Sequence, residues 1–142
     1  VTGRLHYFIS RHVFENGLGE VPAAETGFRL GLRGEGPTVR APDIAFVGKD
    51  RVTLAEEATY APMAPDLAVE TNSPDDSASY VREKVSWWLR HGVREVWVVD
   101  PPSGTVTLHR PAGHARTFER GDTLVGSEVL PGFSRPLADL FR

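Results

Sequence analysis

"PDLAVETNSPDDSASYVREKVSWWLRHGVREVWVVD", residues 65–100, carries three patterns in succession. Leu67 and Val69 alternate with Ala68 and Glu70, the two-residue period of a strand. Ser73 and Pro74 then read as the N-cap and first residue of a helix. Asp75 and Asp76 suit the positive end of its dipole, and Gly92 stands where a left-handed residue closes it. "REVWVVD" is the near-continuous apolar run of a buried strand. The stretch therefore predicts strand, helix over Pro74 to His91, and strand.

Upstream, Leu5, Phe8, Ile9 and His12/Val13 fall near helical spacing in residues 2–15, and "NGLG" ends that run. Phe28, Leu30 and Leu32 alternate as a strand closed by "GEGP", and a hairpin leads into "TVRAPDIAFV", a second strand ending near Val47. "GKDRVTLAEEATYAPMA" is a long loop with room for a helical turn. Downstream, "PPSG" turns "REVWVVD" into "TVTLHR" as a hairpin, and the tail holds a short strand or two and an apolar C-terminal turn. The expected order is helix, three strands, helix, two strands and small additions: an α/β domain, a mixed β-sheet with helices packed on it.

The 142 residues suffice for one domain with a real core, so residues 1–142 are expected to form a single domain. No apolar run approaches the roughly 20 residues that cross a bilayer. The absence of cysteine excludes disulfides, thiolate zinc sites and cysteine nucleophiles and fits a cytoplasmic protein. No charged-then-apolar leader precedes the first helix, and an opening Val1 reads as a start inside a longer protein. The net charge of -3 gives no overall footprint for nucleic acid. Of the 16 cations only Lys49 and Lys84 are lysine, so each lysine is informative.

Strand alternation places the acids. Asp43 shares a face with Ala45 and Val47, opposite Ile44 and Phe46, while Glu70 shares a face with Ala68 and Asp66, opposite Leu67 and Val69. If these strands pair, Asp43 and Glu70 converge about 4.8 Å apart along the hydrogen-bonding direction, and two carboxylates so close need a proton or a cation between them. Mg²⁺ suits such a pair, taking one or two carboxylates plus waters and phosphate oxygens. The plainer reading makes each acid a turn or cap residue, the role expected of Asp66.

On the second helix Ala78, Val81, Val85, Trp88 and Leu89 form the apolar arc, with Lys84 at its edge between Tyr80 and Trp88. An ammonium there needs a carboxylate partner or must reach water along its own stem. Placed near Asp43 and Glu70, it can orient a water or offset charge on a phosphorane.

The five histidines are scattered with no metal-ligand spacing, and His91 reads as a helix C-cap. Ser73 lacks a nucleophile-elbow setting. Trp88 and Trp97 read as core, while Trp87 lies nearer the helix flank and could face a partner. Arg4, Arg11, Arg29, Arg33 and Arg40 precede Asp43 as a candidate phosphate-contacting edge.

"RAPDIAFV", "APDLAVETNSPDD", "EKVSWWLRHGVREVWVVDP", "VLPGF" and "LADLF" together resemble the Uma family of restriction-endonuclease-like proteins, within the PD-(D/E)XK nuclease superfamily. The resemblance covers most of the chain. It implies a restriction-endonuclease-like core of helix, three strands, helix and strand, followed by a C-terminal hairpin. It places the "PD" of the motif on Pro42 and Asp43 and the second acid on Glu70. Asn72 stands where the usual lysine would be; in the Uma-like pattern the following helix supplies it, as Lys84. Family members usually carry a longer N-terminal segment, which would be missing here.

The expectation is a metal-dependent endonuclease hydrolysing DNA phosphodiester bonds, with Asp43 and Glu70 on Mg²⁺ (or Mn²⁺), Lys84 as catalytic amine and a homodimer for cutting both strands. The alternative is a catalytically silent nuclease-fold module with a binding or regulatory role.

Overall fold

The computed structural model describes residues 1–23, 26–32, 34–52 and 63–141. Helix α1 (Thr2–Glu15) leads to β1 (Gly19–Glu20), β2 (Phe28–Leu30), β3 (Thr38–Arg40), β4 (Ile44–Gly48) and β5 (Leu67–Thr71). Helix α2 (Ala78–Arg90) follows, then β6 (Glu95–Asp100), β7 (Thr105–His109), β8 (Ala115–Phe118), β9 (Thr123–Val125) and β10 (Ser134–Pro136).

Six strands form the main sheet in the order β1-β4-β5-β6-β7-β8, with β2-β3 and β9-β10 as separate two-stranded ribbons. Within the main sheet β5 and β6 pair in parallel and the other neighbours are antiparallel. A parallel pair cannot be joined by a tight turn, and α2 is the crossover between them.

Each face of the sheet has its own core. Leu5, Ile9 and Val13, one turn apart on α1, pack with Ile44, Leu67, Val69 and Trp97 and with Leu124, Leu130, Leu137 and Leu140 of the tail. The other face buries Ala45, Val47, Ala68, Val96 and Val98 under Val85, Trp87 and Trp88 of α2 and Phe28 and Leu30 of the β2-β3 ribbon. A fully buried side chain of this size contributes about 1.5–3 kcal/mol.

The mixed sheet with packed helices is as expected, with four differences in detail. The second helix begins at Ala78, not Pro74. Asp76 accepts from the Ser73 amide at 2.9 Å while its own amide donates to Ser73 O, a local turn that outcompetes helix, so Ser77 becomes the N-cap and accepts from Tyr80 N at 3.1 Å. Its end is as expected, with Gly92 at φ 102° and Val93 N bonded to Trp88 O.

The strand expected through Val47 breaks at Ala41–Asp43, where Pro42 has no N–H to continue a ladder; β3 joins β2 and β4 joins the main sheet. Two strands have no sequence signal: β1 is two residues long, and β8 exposes three of its four residues. In the long loop Lys49–Arg51 forms a 3₁₀ turn, and residues 53–62 lie outside the described residues.

Gly19 in β1 has φ 151°, and a Cβ there would lie 2.0 Å from Val47 O, so the edge strand docks only with glycine at this point. No helix among the described residues is long and apolar enough to cross a membrane.

Candidate functional site

The β4–β5 ladder pairs Ile44 with Val69, which sets Asp43 opposite Glu70 just beyond its first rung. Asp43 Oδ2 accepts from the Thr71 amide at 2.7 Å, fixing an otherwise exposed carboxylate at the strand end. Glu70 is buried and points to the α2 face, as its parity with Ala68 requires.

Two donors on α2, one turn apart, address the same oxygen of Glu70. Trp88 Nε1 donates to Oε2 at 3.1 Å, and Lys84 Nζ lies 3.9 Å from it. No side chain among the described residues bonds Oε1. Burial pushes the Glu70 carboxyl above its ordinary range; the Trp88 N–H, the Lys84 ammonium and the Asp43 amide oppose this, and the Asp43 carboxylate reinforces it.

Asp43, Glu70, Lys84 and Trp88 line one open cavity of about 510 Å³ with Arg40 and Tyr80. Asp76 and Glu83 add acidity to its walls. The Lys84 ammonium also lies 5.0 Å from the centre of the half-exposed Tyr80 ring.

Among the described residues no cluster of three or more His, Cys, Asp or Glu could hold a metal ion by itself. The Asp43–Glu70 pair offers two carboxylates, each with an oxygen free of side-chain hydrogen bonds. That donor set fits Mg²⁺, which keeps several waters and completes its shell with phosphate oxygens, better than a metal needing an all-protein cage.

Other candidates resolve differently. Asp66 is the structural residue it was expected to be: it accepts from Gly48 N at 2.7 Å and Arg51 Nη1 at 3.1 Å, with Arg94 3.6 Å away. His91 caps α2, donating from Nδ1 to Trp87 O at 2.7 Å. Trp87 is buried and stacked on His91 at 4.1 Å, so it does not offer the partner-facing surface its flank position suggested.

The early arginines form no single edge. Arg11 pairs with Glu15 on α1, on the opposite face of the sheet from Arg40, and Arg33 lies outside the described residues. Two features of the cavity went unread in the sequence: the Trp88 N–H bond, hinted at only by the four-residue spacing from Lys84, and the place of Arg40.

The sheet carries two acids at neighbouring strand ends and an amine on the crossover helix, an arrangement compatible with a restriction-endonuclease-like fold. The family profile described as "Uma2: Putative restriction endonuclease" matches residues 1–138, and the chain belongs to that family.

A crystal structure described as "a putative nuclease belonging to DUF820 from Anabaena variabilis ATCC 29413" has the same fold. Its TM-score is 0.82 and its identity 24%, over 99% of this chain and 77% of that one. No curated protein matches the chain.

Proposed function

We propose that the chain is a Mg²⁺-dependent endonuclease that hydrolyses DNA phosphodiester bonds in the cavity between β4, β5 and α2. The observation that carries this reading is the joint placement of Asp43, Glu70 and Lys84 on one cavity wall, from two paired strands and the helix between β5 and β6. Asp43 and Glu70 would hold the ion. When bound, Mg²⁺ or Mn²⁺ supplies Lewis acidity toward a phosphate oxygen and lowers the pKa of a water.

The protein's own groups do the rest. The Thr71 amide fixes the Asp43 carboxylate, and the Trp88 indole with the Asp43 amide fixes that of Glu70, so the two acids that would hold the ion are already oriented. The Lys84 ammonium stabilises negative charge building on phosphorus and orients the attacking water. One such site makes one cut, so cutting both strands of a duplex calls for two copies about a two-fold axis.

The test is calorimetric titration of Mg²⁺ and Mn²⁺ into wild type, Asp43→Ala and Glu70→Ala, with plasmid nicking measured on the same samples. We expect saturable binding and nicking in wild type and loss of both in each variant. A folded wild type that neither binds metal nor nicks refutes the hydrolytic reading in favour of a silent nuclease-fold module.

A further inference from the structure

Arg40 ends β3, three residues before Asp43, and lines the same cavity. Its guanidinium carbon sits 4.4 Å from the centre of the Trp87 ring. Trp87 is itself fixed, being 8% exposed and stacked on His91, whose Nε2 lies 3.3 Å from Glu35.

Among the described residues Arg40 makes no hydrogen bond or ion pair, although Asp76 and Glu83 line the same cavity. By contrast, Arg11, Arg51, Arg94, Arg110 and Arg135 all have carboxylate partners. Arg116 and Arg120 also lie over aromatic rings, but neither lines this cavity. Lys84, the cavity's other cation, is already paired with Glu70.

A cation–π contact holds a guanidinium by its charge and does not use up its N–H donors, which can grip a phosphate through two parallel hydrogen bonds. A nucleic-acid backbone brings further phosphates next to the one being cut, and cavity walls bearing four carboxylates repel them unless a cation receives them.

We propose that Arg40, held on Trp87, is the binding site for a DNA phosphate neighbouring the scissile one. The inference rests on the nucleic-acid part of the reading above and adds to it a residue, a ligand group and a platform. Because it reads backbone, Arg40 contributes affinity without base preference.

The test uses wild type, Arg40→Gln, Arg40→Lys and, as a control, Arg29→Gln, an exposed arginine of β2 that does not line the cavity. Binding of a short fluorescent duplex is followed by anisotropy in EDTA across about 50–200 mM salt, with circular dichroism to confirm folding. One phosphate contact fewer reduces the magnitude of the log–log salt slope by about 0.9, so Arg40→Gln should lose roughly 3.5-fold less affinity over that range than wild type does.

Arg40→Lys should keep the wild-type slope and bind more weakly, since an ammonium cannot form the fork. Arg29→Gln should match wild type. Nicking with Mg²⁺ or Mn²⁺ on the same preparations separates the two readings: a reduced Arg40→Gln slope with no nicking by wild type sustains Arg40 as a DNA-phosphate contact but overturns both its place beside a scissile phosphate and the hydrolytic assignment. An Arg40→Gln slope equal to wild type overturns the clamp even if wild type nicks, and so does a wild type that does not bind the duplex.

Discussion

Replacing Lys84 with methionine separates a functional ammonium from one that merely snorkels. Methionine keeps most of the stem that lies between Tyr80 and Trp88, so the packing change is small. What disappears is a charge 3.9 Å from Glu70 Oε2, worth about 4 kcal/mol at an effective dielectric near 20. Lys84 keeps 18% of its side chain exposed and solvent screens part of the attraction, so the net cost at neutral pH should be about 1–3 kcal/mol.

The pH dependence is the sharper signature. The Glu70 carboxyl titrates above its ordinary 4.5 in the folded protein, so above that value the native state binds more protons than the unfolded chain and stability falls as pH rises. Without the ammonium Glu70 moves higher still. The variant should therefore match wild type where Glu70 is protonated in both folded and unfolded chains, and fall behind as pH rises through its folded titration.

Urea unfolding in EDTA at a series of pH values between about 4 and 8.5 measures this difference directly. A cost that stays constant with pH would show that the ammonium spends its time in water and does not act on Glu70, refuting the pairing on which its proposed catalytic role depends.

Two further substitutions probe acids and backbone outside the cavity. Glu95 is fully buried and accepts from Trp97 Nε1 at 2.6 Å and Ser127 Oγ at 2.7 Å, with Arg110 3.5 Å away. Glu95→Ala should cost about 3 kcal/mol in urea unfolding yet leave Mn²⁺ affinity at the wild-type value, because this acid serves the α1 face of the sheet; a lost metal isotherm in the folded variant would contradict that division. Gly19→Ala should destabilise by about 2–4 kcal/mol, since its Cβ meets the Val47 carbonyl and φ is positive. An unchanged melt would mean that β1 does not hold its place at the sheet edge.

What the sequence revealed follows from periodicity. Asp43 and Glu70 could be placed on one face because alternation along a strand leaves no choice, and Lys84 because a helix of known face carries it. The start of α2 was misplaced because Ser73 and Asp76 satisfy capping rules equally well as a free turn, and only packing decides between them. β1 was invisible because two residues carry no period. The Trp88–Glu70 bond and the stacking of Arg40 on Trp87 depend on rotamers chosen by the assembled core, and no spacing rule reports those.

Asn72, where a strand-borne amine would stand, instead joins strand ends: its amide bonds Val99 O at 2.8 Å and its side-chain amide reaches Asp100 at 3.4 Å. An amine carried on α2, as Lys84 is, does not depend on the strand's parity. Along β5 a single inserted or deleted residue would swing a lysine to the wrong side of the sheet. On α2 the aim of Lys84 at Glu70 is set by the seating of Val85 and Trp88, so a change in the length of residues 72–77 need not turn that side chain away.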